Sequence, residues 1–253
     1  MNIVVCVKQI PDPANPYSLD EETHFLVRPE EQVLDDTDRY GVEVGLQLAA
    51  ETEGTVTLVS MGPAGNMQGI RQALAMGADQ AVLIDDSSLK GSSSLTTAKI
   101  LAAAIERNGF DIVIAGTEST DGYTGVVPQQ ISELLNVPAL TFAKKIDVEA
   151  GRVSINQQTA TGYNVVSADL PAVVTVTAGV VEPRYPTFKG IMAAKSKPVE
   201  TLSAADLGIA DTDAGQSTVS VAAATEREAG LKIEDDGEGH THIVEKLQEL
   251  KVI

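Results

Sequence analysis

Three loops carry the residue types best suited to chemistry: Lys8-Gln-Ile-Pro-Asp-Pro13, Met61-Gly-Pro-Ala-Gly-Asn66 and Gly116-Thr-Glu-Ser-Thr-Asp-Gly-Tyr-Thr-Gly125. Each follows a short apolar run. The third leads into a helical stretch whose first free N–H groups come from Gly125, Val126 and Val127. Such donors, at the positive end of a helix dipole, form a cradle for an anion or a phosphate. Asp121 suits a ribose hydroxyl; the plain alternative is a Gly-rich connector in which Asp121 caps its own turn. No strand is followed by G-x-G-x-x-G and no G-x-x-x-x-G-K-[ST] occurs, so neither common nucleotide fingerprint is present.

Bond-making chemistry finds little support. His24, His240 and His242 lie in a polar loop and an acidic tail, and two imidazoles there lack the further ligands a metal site needs. Cys6, inside an apolar run, reads as a core residue, and no G-x-S-x-G elbow occurs. The pattern is that of a binder or carrier, without a catalytic site of its own. The most unusual local feature is Glu182 to Lys197, where Arg184, Lys189, Lys195 and Lys197 occur without an acid after Glu182. Phe188, between prolines and Lys189, is either an apolar anchor in a cationic rim or a cover for the core edge.

The elements that must position these loops follow from hydrophobic pattern. Residues 3–7, 55–60, 81–84 and 112–115 are apolar at both parities, as in strands buried on both faces of a parallel sheet. Helical spacing covers 37–51, 64–76, 93–107 and 126–135. The alternation predicts an α/β doubly wound parallel sheet, Rossmann-like, with the three loops on one rim at the strands' carboxyl ends. Residues 152–157 and 162–168 flank Gly162 as a hairpin, and 171–177 reads as one more strand. Residues 1–198 are therefore expected to form one domain. Residues 199–253, with 12 acids against 4 bases and few large apolar side chains, are expected to form an arm that packs on another subunit.

Composition bounds the rest. The chain has 253 residues, 43% of them hydrophobic and none of them Trp, so it has an ordinary globular balance and an aliphatic core. Its formal net charge of −18 opposes general nucleic-acid binding and docking on an anionic membrane. A single cysteine excludes an intrachain disulfide. The opening Met1-Asn2-Ile3-Val4-Val5 lacks a basic leader and a long apolar segment, so a cytoplasmic location without membrane insertion is expected.

Six segments together resemble the β subunit of electron transfer flavoprotein, the FixA-like family. They are Val5-Cys-Val-Lys-Gln-Ile-Pro-Asp12, Ser60-Met-Gly-Pro63, Ala73-Leu-Ala-Met-Gly-Ala-Asp79, Ala115-Gly-Thr-Glu-Ser-Thr-Asp-Gly122, Leu170-Pro-Ala-Val-Val-Thr175 and Glu182-Pro-Arg-Tyr185 with Ile191-Met-Ala-Ala-Lys195. The resemblance implies a heterodimer with an α subunit that holds most of the redox-active FAD, while the β chain binds an AMP without redox function. Carried over by position, the AMP contacts are Cys6, Val7, Asp35, Met61, Asp121, Gly125, Val126 and Val127. The resemblance likewise implies a partner-recognition loop, with Phe188 as its anchor and Arg184, Tyr185, Lys189, Ile191, Met192 and Lys195 around it. This chain departs from the family pattern twice: Asp35-Asp36-Thr-Asp38 replaces an Asn-Pro-Phe-Asp type, and Gly125-Val-Val-Pro128 replaces a Gln-Thr-Gly type.

The implied role is electron carriage from acyl-CoA dehydrogenases and other flavin dehydrogenases, in fatty acid oxidation, to a quinone oxidoreductase. Two alternatives differ in class. A bifurcating form would hold a second FAD and an NADH site, and a universal-stress-type regulator would bind nucleotide alone.

Overall fold

The computed structural model describes residues 1–210, 212, 215, 217–222, 230, 232–235 and 237–253. The chain runs β1 (Asn2–Cys6), β2 (Gln9–Ile10), β3 (Val33–Leu34), α1 (Asp36–Thr52), β4 (Thr55–Met61), α2 (Gln68–Met76), β5 (Gln80–Ile84), α3 (Ser94–Asn108), β6 (Ile112–Gly116), α4 (Val127–Leu134), β7 (Ala139–Glu149), β8 (Arg152–Gln158), β9 (Tyr163–Asp169), β10 (Ala172–Val176), α5 (Phe188–Ala194), β11 (Val199–Leu202) and α6 (Gly239–Glu249). One sheet has the order β11-β5-β4-β1-β6-β10-β7-β8-β9. Its pairs from β11 to β7 are parallel, and β8 and β9 extend it antiparallel. This is the doubly wound architecture that the alternating pattern predicts.

Apolar residues at both parities have their explanation in the two faces. Ile3 and Val5 of β1, with Ile112 and Ile114 of β6, pack under α1 and α2; Val4 and Val113 turn to the opposite face, under α3 and α4. Sequential strands β1, β4 and β5 fill one side of β1, and β6 then pairs on its other side. That reversal opens a crevice at the carboxyl ends of β1, β4 and β6, where open α/β sheets bind their ligands.

The predicted strands and helices agree with the observed ones to within a few residues, and the sequence pattern leaves out the two-residue strands β2 and β3 and three longer elements. Strand β7 is missing from the sequence reading because its exposed, charged side chains after Ala143 hide the alternation. Helix α5 is too short to show a helical period. Strand β11 pairs with β5 and buries Leu202, with Ala204 beyond it, so residues 199–204 complete the sheet's edge. A compact unit accordingly extends over Met1–Thr218, past the expected boundary at 198, and a second unit comprises Val219–Ile253. Within the second unit α6 has no buried residue and leaves Ile243 and Val244 exposed, and Leu250 just after it is exposed too. Residues 211, 213–214, 216, 223–229, 231 and 236 of the expected arm lie outside the described residues. Among the described residues, no helix is long and apolar enough to cross a membrane.

Candidate functional site

A cavity of about 280 Å³ opens at the carboxyl ends of β1, β4 and β6. Its wall includes Cys6, Val7, Lys8, Asp38, Met61, Gly116, Gly125 and Val127, with Ser92, Ser94 and Thr97 from the start of α3. The three loops singled out from sequence therefore meet. Of the expected nucleotide residues, Cys6, Val7, Met61, Gly125 and Val127 stand on this wall. Asp35, Asp121 and Val126 stand outside it: Val126 is exposed, and the two acids are engaged in holding loops together.

Asp35 is fully buried and caps α1 through Thr37, whose N–H and hydroxyl donate to Oδ1 at 3.0 and 2.9 Å. Its Oδ2 accepts from the Thr120 N–H at 2.7 Å and the Thr120 hydroxyl at 3.0 Å. One carboxyl group thus joins the N-terminus of α1 to the Gly116–Gly125 turn. Asp121, one residue on, is clasped by two cations: Lys8 Nζ at 2.7 Å and Arg28 Nη2 at 2.6 Å. Burial pushes the Asp121 carboxyl up, but Lys8 and Arg28 overcome it and hold the group below the usual carboxylate range. Asp121 is the turn's anchor, and its oxygens are engaged by the chain itself.

Asp38 is a buried acid on the cavity wall, where Glu118 also stands. It is 7% exposed, and Oδ2 accepts from the Lys8 N–H at 2.6 Å. Desolvation, followed by the nearby Asp35, raises its carboxyl well above the ordinary range, which favours the protonated form, a hydrogen-bond donor as well as an acceptor. Burial, with Asp38 second, pushes the Cys6 thiol up to about 12, which makes it an inert wall residue. Helix α4 starts at Val127 with no side-chain cap and with Pro128 in its first turn. Gly125 adopts φ +64° just before it, a conformation that favours glycine. The combination leaves main-chain donors at the cavity mouth. The Glu118 carboxylate stands near Gly125.

Sequence reading singled out Lys8 only as part of a loop and missed Arg28, Asp38 and Thr120 as partners. Asp38 lay within the Asp35-Asp36-Thr-Asp38 run and offered a signal; Arg28, in a polar loop without periodicity, offered none.

The segment expected to recognise partners lies apart from this cavity's wall. Tyr185 and Phe188 are each 80% exposed, and Ile191 and Met192 about half. Phe188 is therefore no cover for the core edge. Thr187 caps α5 by accepting from the Gly190 N–H. Gly190 lies so close to the Ala75 carbonyl of α2 that a Cβ there would stand 2.4 Å from it. At the segment's end, Arg71 donates to the carbonyls of Ala194 and Lys197, and Lys197 Nζ to those of Leu74, Gly77 and Ala78. Arg184, expected at the rim with Lys189 and Lys195, is 46% exposed there and also pairs with the buried Glu43, because a carboxylate in the middle of α1 demands a counter-charge.

Comparison with known proteins gives the family. The family model "Electron transfer flavoprotein domain" matches residues 23–207. The electron transfer flavoprotein subunit beta of Mycobacterium tuberculosis is 40% identical, over 100% of this chain and 99% of its own length. That of Megasphaera elsdenii is 35% identical over the full length of both. The Caffeyl-CoA reductase-Etf complex subunit CarD of Acetobacterium woodii is 33% identical over 85% of this chain and 83% of its own. With a family match over most of its length and full-length relatives at this identity, the chain belongs to the electron transfer flavoprotein subunit beta family.

Proposed function

We propose that this chain pairs with an electron transfer flavoprotein α subunit and, as a cytoplasmic heterodimer, carries electrons from acyl-CoA dehydrogenases and other flavin dehydrogenases to a quinone oxidoreductase. FAD, held mainly by the α subunit, supplies the redox chemistry when bound; this chain binds, orients and recognises. AMP is the ligand we assign to the cavity at β1, β4 and β6.

The observation that carries the reading is the pairing of an uncapped α4 N-terminus with a buried Asp38 on the wall of one cavity. Main-chain donors at Gly125 and Val127 suit a phosphate, and Asp38 suits a nucleobase edge that both donates and accepts. Asp35 and Asp121 act from behind, by fixing the turn. The exposed Phe188, Ile191 and Met192, with Lys189 and Lys195 beside them, suit an apolar pocket with an acidic rim on a dehydrogenase.

Quantifying the nucleotides released from the denatured native heterodimer tests the assignment. One FAD and one AMP per heterodimer are expected. Two FAD without AMP would mark a bifurcating subunit and overturn it. A β chain that is stable and monomeric beside a co-expressed α subunit would support a lone nucleotide-binding regulator instead.

A further inference from the structure

The side chain of Arg184, 46% exposed, reaches back to α1 at the N-terminal end of the exposed apolar face. Its Nε donates to Glu43 Oε2 at 2.7 Å, its Nη2 to Oε1 at 2.9 Å, and its main-chain N–H to Oε2 at 3.2 Å. Glu43 is 3% exposed and takes a further hydrogen bond from Gln47 Nε2 at 2.8 Å. One helical turn earlier on the same side of α1, the Arg39 guanidinium lies 5.7 Å from the centroid of the Tyr185 ring. Two consecutive residues of the segment are thus held by one stripe of α1. The same helix is tied at its N-terminus to the Gly116–Gly125 turn through Asp35 and Thr120.

Something must aim the apolar face, because its own side chains are exposed and bury little to hold it. Helix α5 has seven residues, too few to be stable alone. Its C-terminal end is fixed on α2 by Arg71 and Lys197. At the other end, releasing Arg184 would leave the Glu43 carboxylate buried and unpaired, a state that costs far more than the pair itself contributes. A filled guanidinium fork fixes direction as well as distance.

We propose that Glu43 and Arg184 form a positioning latch that sets the aim of the face carried by Phe188, Ile191 and Met192, and that Arg184 does not itself contact the partner. The latch rests on the docking role proposed above.

The test uses the native heterodimer as electron acceptor for an acyl-CoA dehydrogenase. Arg184→Lys keeps the charge and loses the fork; Glu43→Gln keeps the shape and loses the charge. Each is expected to raise KM for the heterodimer roughly tenfold, equivalent to about 1.4 kcal/mol, with kcat, FAD content and nucleotide content unchanged. The double variant should be no worse than the worse single one, because both changes break one interaction. Amide exchange over residues 185–191 should quicken in all three while β1 and β6 stay protected. Native behaviour of Arg184→Lys beside a weakened Arg184→Gln would make Arg184 a docking cation and overturn the latch, as would additive effects or unchanged exchange. A silent Phe188→Ala in the same assay sinks the docking role and the latch with it; an effective Phe188→Ala beside a silent Glu43→Gln sinks the latch alone.

Discussion

Arg28 and Asp121, 93 positions apart in the chain, meet with Nη2 and Oδ2 2.6 Å apart, and this contact closes the loop between β2 and β3 onto the turn that precedes α4. Lys8 completes the clasp from the end of β1. Three segments without regular structure are thereby held in one place by a single buried carboxylate.

Asp121→Asn should destabilise the chain by on the order of 2 kcal/mol at neutral pH, since two cations lose their counter-charge and both are partly screened by solvent. The sign of the pH dependence follows from a folded-state carboxyl held low. The stabilisation is present in full above the unfolded value of about 3.9 and is lost as pH falls through the lower folded value. Melting temperatures of native and variant chains should differ at pH 7 and converge in strong acid. A constant difference across that range would refute the clasp's electrostatic role.

Asp38 should behave in the opposite sense. Its folded-state carboxyl is held high, so its contribution is greatest below about pH 3.9 and is lost as pH rises through the folded value. Asp38→Asn, which cannot charge, should gain on the native chain in thermal stability as pH rises from 5 to 8. The same variant should release AMP more readily if the acid reads the nucleobase. Retained AMP at native stoichiometry after extended dialysis would remove Asp38 from that role.

Cys6 should resist alkylation. With its thiol near 12, iodoacetamide at pH 8 should leave it unmodified in the native heterodimer and label it fully in denaturant. Mass spectrometry reads the outcome, and rapid native labelling would contradict the inert-wall assignment.

Phe188→Ala should weaken docking on an acyl-CoA dehydrogenase by about 2 kcal/mol, roughly thirtyfold. Because the side chain is 80% exposed, melting temperature, FAD content and nucleotide content should stay native. Lys189 and Lys195, exposed beside it, should govern association rate and its salt dependence. A lost α subunit or a lowered melting temperature, with dehydrogenase coupling intact, would assign Phe188 to folding or pairing.

Truncation distinguishes the sheet's edge from the arm. Ending the chain after Thr218 should leave the first unit folded and abolish stable pairing with the α subunit. Ending it after Pro198 removes β11 and the buried Leu202 and Ala204, and should cost at least about 2 kcal/mol of stability. Urea unfolding of the two chains, with copurification of the α subunit, checks both. An untruncated yield of heterodimer from the Thr218 chain would rule out the arm's role in pairing.

The sequence by itself determined the doubly wound sheet, because a strand buried on both faces must be apolar at both parities, as Ile3-Val4-Val5 and Ile112-Val113-Ile114 are. It also determined which loops meet, since right-handed crossovers leave the carboxyl ends of β1, β4 and β6 on one rim. Only the tertiary structure decided which acids serve which role. Asp35, Asp36 and Asp38 are near neighbours of one residue type, yet one is sealed under Thr120, one is exposed and one faces the cavity. Arg184 and Lys189 likewise look alike along the chain, but the first meets Glu43 across 141 positions and the second stays in water. Local pattern fixes which face of an element is apolar. The partner of a charge is set by long-range approach, and with it burial, counter-charge and protonation, none of which spacing along the chain encodes.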